Sequence, residues 1–181
     1  MSLVRVAGRT HFQGKAAVNV LVCIDRSEAS RKVVRFVAGL LKARVADGQD
    51  RITLYHVAEF LPEFLLSDHP EPGMTSRGLA ERWAAKAKDD GDRVLAERKQ
   101  ELLAAGIPAA AVQTKLELKD CLPESTKVAA ALAIIGEMQS GNYDLVCIGR
   151  RGASELAISF IGGVTEKVIR EAHGRSMLVV D

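Results

Sequence analysis

The sequence predicts an α/β fold built on a doubly wound parallel sheet with helices on both faces. Strand-like and helix-like segments alternate from residue 18 to residue 181, which is the pattern of βαβ units. The first strand-like segment, residues 18–24 (VNVLVCI), is apolar throughout, as expected of a strand buried on both faces. Right-handed crossovers then restrict the chain to a few doubly wound topologies.

The first half of the chain predicts two strands and two long helices. After the first strand, apolar residues recur at helical spacing in residues 28–46, and Ser27 occupies the N-cap position. Residues 51–57 (RITLYHV) predict the second strand. Residues 78–106 predict a long amphipathic helix that ends at Gly106, a residue suited to a helix C-terminus.

The second half predicts three more strands and two more helices. The strands are expected at residues 111–118, 144–149 and 176–180. The helices are expected at residues 125–141 and 163–172. Ser125 or Thr126 would cap the first of these helices, and Gly141 would end it. No internal repeat or linker interrupts the series, so residues 18–181 are predicted to form one domain.

One long irregular segment, residues 58–76, follows the second strand. It contains three of the five prolines and a group of apolar residues, Phe60, Phe64, Leu65 and Leu66. Loops of this length usually cover a site or are disordered. Because these apolar side chains would be costly to leave in water, we expect a packed lid over a ligand site.

Composition argues against a nucleic acid or a membrane as the main partner. The 25 basic and 23 acidic residues nearly balance, and 48% of the residues are hydrophobic. A nearly neutral chain lacks the basic patch that nucleic acids require. No apolar run approaches the roughly 18 residues that span a bilayer.

The cysteines and the N-terminus suggest a cytoplasmic protein. Cys23 and Cys147 lie in apolar runs, and the count of three without a CxxC motif or signal peptide favours a reducing compartment. Residues 1–17 are free of acidic side chains. They would fit a weak organelle-targeting segment, but a frayed N-terminal tail is the favoured interpretation.

Two strand ends carry residues that could bind a nucleotide. Asp25 follows the first strand, and its carboxylate would suit ribose hydroxyls or a magnesium ion. The fourth strand ends in IGRRG and leads to a helix that begins at GGVT. Backbone N–H groups of Gly162, Gly163 and Val164 would favour phosphate there, and Thr165 would add a hydroxyl donor.

Each of these residues also has a purely structural interpretation. Gly149 and Gly152 could be turn residues, Gly162 a helix cap and Asp25 an ordinary cap of the first helix. The adjacent Arg150 and Arg151 could reach phosphates or form a solvated pair. The combination, on strands that a topological switch point would bring together, favours a ligand site.

The pattern Gly149-x2-Gly152-x9-Gly162, followed by VTEKVIREA and a terminal MLVV strand, resembles the universal stress protein family. The segments VLVCIDRSEAS and LYHV resemble the first strand, the aspartate loop and the second strand of that family. The similarity covers residues 18–181. It implies a Rossmann-like fold with strand order 3-2-1-4-5, usually dimeric, that often binds ATP or another adenine nucleotide such as AMP or ADP.

The resemblance also implies roles for individual residues. Asp25 would meet the ribose or a Mg²⁺ ion, and Val57 would contact adenine through its backbone. The ribose and phosphates would be lined by Ile148, Gly149, Gly152, Gly162, Val164 and Thr165. Three departures stand out: Gly163 replaces a usual Ser or Thr, Arg26 replaces a small residue, and Ser176 replaces a frequent proline.

Two functions follow as alternatives. The first is an ATP-binding, dimeric sensor or adaptor in the stress response; the second is a family member that binds no nucleotide and acts as an interaction scaffold. A nucleotidyl transferase of a related fold is a third class, but its HxGH and SGGxDS signatures are absent. No nucleophile is paired with a base, so a dedicated enzyme is not expected.

The C-terminal strand predicts a homodimer. In the order 3-2-1-4-5, residues 176–180 (SMLVV) form an edge strand without proline or lysine. Such an edge exposes unpaired backbone groups that can pair with another chain. A two-fold axis would let the same edge serve both partners and close the assembly at two.

Overall fold

A computed structural model describes residues 17–45, 50–66, 75–122, 125–151 and 161–181. These residues include five strands: β1 (Asn19–Cys23), β2 (Arg51–Phe60), β3 (Val112–Asp120), β4 (Leu145–Gly149) and β5 (Ser176–Val180). The strands form one sheet in the order β3-β2-β1-β4-β5, and every neighbouring pair is parallel. The predicted fold class and strand order are confirmed. The predicted N-terminal tail lies outside the described residues except for Ala17.

Helices cover both faces of the sheet. The described part of the chain contains α1 (Glu28–Val45), α2 (Glu63–Leu66), α3 (Ser76–Ala104), α4 (Thr126–Ser140) and α5 (Gly163–Glu171). A short 3₁₀ helix, Ala109–Ala111, precedes β3. Helices α1 and α3 pack together on one face, and α4 and α5 pack together on the other. The short α2 packs against α3.

The sheet divides the hydrophobic core into two layers. Val20 and Val22 of β1 pack with buried residues of α1 and α3. Leu21 and Cys23, which point to the opposite face, pack with α4 and α5. All four side chains are buried, as predicted from the uninterrupted apolar run, because successive strand residues face opposite sides of a sheet.

One strand is longer than the sequence predicts, and one helix begins earlier. Strand β2 continues to Phe60 rather than residue 57, because it pairs with β3 without interruption as far as Phe60 and Asp120. Helix α3 begins at Ser76 rather than residue 78, because the Thr75 hydroxyl caps it by accepting a hydrogen bond from Gly78 N at 3.1 Å.

Two of the predicted helix ends are confirmed, and one cap differs. Ser27 caps α1, and its hydroxyl accepts a hydrogen bond from Ser30 N at 3.1 Å. Gly106 follows the end of α3 with φ of 92°, a conformation that favours glycine. Ser125 lies at the N-cap of α4, but its hydroxyl donates to the carbonyl of Leu122 instead of accepting from the helix.

A charged network connects α4 to β3 and to the loop before β4. The carboxylate of Glu137 is buried and accepts hydrogen bonds from Lys115 Nζ and, at 2.7 Å, from the Tyr143 hydroxyl. Burial acts to raise the pKa of Glu137, but the two hydrogen bonds and the charge of Lys115 outweigh it, so that pKa is lowered. The network therefore holds an ionised carboxylate in the last turn of α4.

We expect Glu137→Gln to lower the free energy of unfolding by about 1–2 kcal/mol at neutral pH, because an amide binds these donors less tightly than a carboxylate. Denaturant unfolding measures the difference. Glu166→Gln is the matched control, since Glu166 forms an exposed pair with Arg170 on α5. Its loss should stay below about 0.5 kcal/mol.

The same variant gives a pH signature. Because the folded pKa of Glu137 is depressed, its ionised form stabilises the fold fully above the unfolded pKa. That contribution is lost as the pH falls through the folded pKa. The difference between the unmodified protein and Glu137→Gln should therefore shrink in acid; a constant difference down to about pH 3 would contradict the assignment.

Candidate functional site at the carboxyl edge of the sheet

A cavity of about 510 Å³ lies where β1, β2 and β4 end, between α3 on one face and α4 on the other. The sheet order reverses between β1 and β4, and doubly wound sheets bind ligands at such a point. The volume is within the range of small-molecule sites. Seven of the predicted site residues line this cavity: Asp25, Val57, Ile148, Gly149, Gly162, Val164 and Thr165.

The two remaining glycines are not among these residues. Gly163 begins α5 but is not one of the residues that line the cavity. Gly152 lies outside the described residues.

Asp25 is held by the first turn of α1. One carboxylate oxygen, Oδ1, accepts hydrogen bonds from the Ser27 backbone N–H at 2.8 Å and from the Ser27 hydroxyl at 2.5 Å. The Asp25 N–H donates to the Ser30 hydroxyl at 3.1 Å. These bonds orient the carboxylate at the cavity and join the end of β1 to α1. Asp25 thus takes part in the capping structure and also lines the site.

Gly149 lies against the start of α1. A side chain there would bring Cβ within 3.1 Å of Ala29 Cβ and 3.3 Å of the Arg151 carbonyl oxygen. Contacts this short are tighter than a well-packed interior normally tolerates. The neighbouring helix therefore favours glycine at this position, since a Cβ would require it to shift by a few tenths of an ångström.

Two of the predicted phosphate donors bond to the protein instead. The Thr165 hydroxyl donates its hydrogen to the Gly149 carbonyl at 2.7 Å, and Thr165 is buried. The Gly162 N–H donates to the Arg150 carbonyl at 2.8 Å. Both bonds attach the first turn of α5 to the end of β4. What this turn offers a ligand is chiefly the partial positive charge of the helix N-terminus.

Three cationic side chains line the cavity: Arg26, Lys127 and Arg151. Arg26 forms an ion pair with Asp90 of α3 at 3.2 Å, so its guanidinium points across the cavity mouth. Arg150 does not line the cavity and forms an ion pair with Asp181 at 2.7 Å. The arginine pair of IGRRG is therefore divided between two environments.

Two titratable side chains of β2 also line the cavity. His56 Nδ1 lies 2.9 Å from the Ile24 carbonyl oxygen, which agrees with the expectation of a packed or hydrogen-bonded residue. Burial lowers the pKa of His56 despite that bond and the nearby carboxylate of Asp25. Burial raises the pKa of Glu59, and Asp25 adds to the effect. The β2 side of the site is thus desolvated and acidic.

Helices α3 and α4 form two walls of the cavity that were not predicted from the sequence. Ala87 and Asp90 come from α3, and Thr126 and Lys127 come from α4. Helix α3 is about 43 Å long, and none of its residues between Leu79 and Gly91 is buried. This half of α3 reaches the carboxyl edge of the sheet. The predicted length of α3 was the one feature of the sequence that could have indicated this wall of the cavity.

The predicted lid is only partly described. Within its described part, α2 packs against α3, Leu66 is buried and Phe64 is exposed. None of the described residues 60–66 lines the cavity. Residues 67–74, which carry two of the three prolines of this segment, lie outside the described residues. The lid stays a prediction.

Across the described ranges, no group of three or more His, Cys, Asp or Glu side chains is arranged to hold a metal ion. No helix in the described part of the chain is long and apolar enough to cross a membrane.

Comparisons with known proteins give one family and one fold. The model of the universal stress protein family matches residues 18–181. Among solved structures, the hypothetical protein MJ0577 superposes with a TM-score of 0.64 at 19% identity, covering 90% of this chain and 94% of that one. Universal stress protein UspA from Lactobacillus plantarum gives 0.61 at 18% identity, covering 92% and 99%.

A universal stress protein solved in complex with cAMP also matches, with a TM-score of 0.54 at 18% identity and coverage of 92% and 98%. No curated protein matches the chain. At these identities the structural likeness shows the fold, whereas the family model spans nearly the whole sequence. The chain belongs to the universal stress protein family.

Proposed function

We propose that the cavity at the carboxyl edge of the sheet binds an adenine nucleotide, with ATP as the first candidate and AMP or ADP as alternatives. One observation carries the proposal: a 510 Å³ cavity at the switch point, lined by Asp25 on one side and by Gly149, Gly162 and Val164 on the other. This arrangement pairs a carboxylate with a helix N-terminus across one concave site.

In the proposed complex, each part of the nucleotide has a chemical counterpart. The base lies beside the Val57 backbone and the α3 wall, where Ala58, Ala87 and Gly91 also line the cavity. The ribose lies near Asp25, whose carboxylate can accept hydrogen bonds from hydroxyl groups or bind Mg²⁺ together with the phosphates. The phosphates lie toward the first turn of α5.

The relatives support an adenine nucleotide as the ligand class. One universal stress protein of the same fold has been solved with cAMP, and cAMP shares its base and sugar with ATP. Because that protein is only 18% identical, it supports the class of ligand and not the individual contacts.

We further propose that the protein acts as a cytoplasmic, homodimeric sensor or adaptor rather than as a dedicated enzyme, with neither nucleic acid nor membrane as its main partner. Binding of the nucleotide would then be the signal, and the dimer would transmit it. Strand β5 pairs with β4 along one side, and its other side is the edge at which a second copy would add antiparallel.

A scaffold without nucleotide is the second candidate, and two hydrogen bonds favour it. The Thr165 hydroxyl and the Gly162 N–H both donate within the protein. Gly163 has no hydroxyl that could replace them. If shape and charge do not compensate for these donors, the cavity would be a remnant, and the family fold would serve protein contacts alone.

Calorimetry with Mg-ATP separates the two candidates. We expect heat of binding from the unmodified protein and none from Gly162→Leu, because a leucine at the cavity would occupy phosphate space. The backbone of Gly162, with φ of −67° and ψ of 145°, is compatible with any L-residue, and thermal unfolding checks that the buried leucine leaves the fold intact. Gly136→Leu is the matched control, since nothing lies within 4 Å of a Cβ at that exposed position.

Trp83 supplies an independent signal. It is the single tryptophan of the chain and lies one turn before Ala87, which lines the cavity. Titration with ATP should change its fluorescence. If millimolar ATP gives neither heat nor a fluorescence change with the unmodified protein, the scaffold function is correct.

The dimer is tested at Val179. The Val180 carbonyl accepts from Arg150 N at 2.7 Å and so faces β4; the Val179 N–H therefore points to the outer edge of β5. Val179→Pro removes that donor without breaking a β4 pair, and we expect monomers in light scattering. Val179→Ala keeps the N–H and should remain dimeric. An unmodified protein that is monomeric at micromolar concentration would refute the dimer.

A further inference from the structure

Arg151 has a buried donor to which no described residue offers an acceptor. Arg151 is one of the residues that line the cavity, and the buried donor is its Nε. A buried N–H of a charged group that lacks a partner is unfavourable and uncommon in folded proteins. The Nε of Arg150 is buried without a described acceptor in the same way, so the feature that sets Arg151 apart is its place in the lining of the cavity.

The neighbouring cations are held in other ways. Asp90 holds Arg26 at the mouth of the cavity, and Asp181 holds Arg150 beyond the end of β5. Arg151 has no such carboxylate in the described part of the chain. A planar guanidinium with several donors matches the oxygens of phosphate groups better than a lysine does.

Charge is distributed unequally across the cavity. The carboxylates of Asp25, Glu59 and Asp90 line it from β1, β2 and α3. Arg151 and the N-terminus of α5 line it from the β4 side, and Lys127 lines it from α4. Because acidic groups repel phosphate and the β4 side attracts it, a nucleotide has one favourable orientation, with its phosphate chain toward Arg151.

We infer that Arg151 is the residue that makes this site select for the polyphosphate of ADP and ATP over the uncharged nucleoside. This inference rests on the proposed function and adds the side chain, Arg151, that would bind the phosphates. Arg151 compensates for the hydroxyl of Thr165, which bonds to Gly149, and for the absence of a hydroxyl at Gly163. Gly149 and Gly162 thus line the space, and Arg151, which lies between them in the sequence, supplies the charge.

Arg151→Met keeps the aliphatic stem and removes the charge. We expect it to weaken ATP and ADP binding by about tenfold or more, the loss of a charge-assisted contact, while adenosine binding changes less than about twofold. Arg151→Lys should recover part of the affinity. The fall of ATP affinity with added salt should also be less steep in Arg151→Met than in the unmodified protein.

Arg150→Met is the matched control, since it removes the adjacent arginine outside the cavity. Equal losses for ATP in the two methionine variants, or equal losses for ATP and adenosine in Arg151→Met, would overturn the inference. Unchanged ATP binding in Arg151→Met would overturn it and leave the proposed function standing. If the unmodified protein binds neither ATP nor adenosine, the proposed function fails and the inference fails with it.

Discussion

The close approach of Gly149 to Ala29 fixes the position at which the sheet meets its helices. A Cβ at Gly149 would lie only 3.1 Å from Ala29 Cβ, so a side chain there would require the start of α1 to shift by a few tenths of an ångström. The carbonyl of the same glycine accepts the Thr165 hydroxyl, which attaches the first turn of α5. Three elements therefore converge on one residue without a side chain. The cavity lies beside this junction, so the part of its lining formed by Gly149 and Gly162 depends on the same contacts.

The convergence explains why the chain uses so many of its own polar groups at the site. Ser27 and Ser30 bind Asp25 on the α1 side, and Thr165 binds Gly149 on the α5 side. Each bond satisfies a group that would otherwise be buried unpaired at a strand end. The same bonds remove specific donors from any ligand. Recognition then depends on the shape of the cavity and on its charge.

The fold could be predicted from the sequence because each strand carries its own local pattern. These local patterns predicted all five strands. The extension of β2 to Phe60 was not predicted, because it depends on pairing with β3, and pairing is not a local property. The strand ends at Asp25 and Gly149 were predicted from the same local patterns. The contact between Arg26 and Asp90 was not, because it depends on how far α3 overhangs the sheet. Nor could a local pattern separate Arg150 from Arg151, which are neighbours in sequence but lie in different environments.

The two helical walls of the cavity are held with unequal strength. Helix α4 is fixed by the buried carboxylate of Glu137 and by the Tyr55 hydroxyl, which donates to the Ala133 carbonyl at 3.3 Å. At the cavity rim, the overhanging half of α3 is joined to the β1 loop by the Arg26–Asp90 pair, whose side chains are 60% and 28% exposed. Exposed pairs of this kind contribute about 0–1 kcal/mol. The ion pair is therefore the weaker attachment of α3, and the stronger one is next to it, where Gly91 packs closely against Leu116 and His56. Helix α3 is thus held to the sheet by shape, whereas α4 is held by a buried charge.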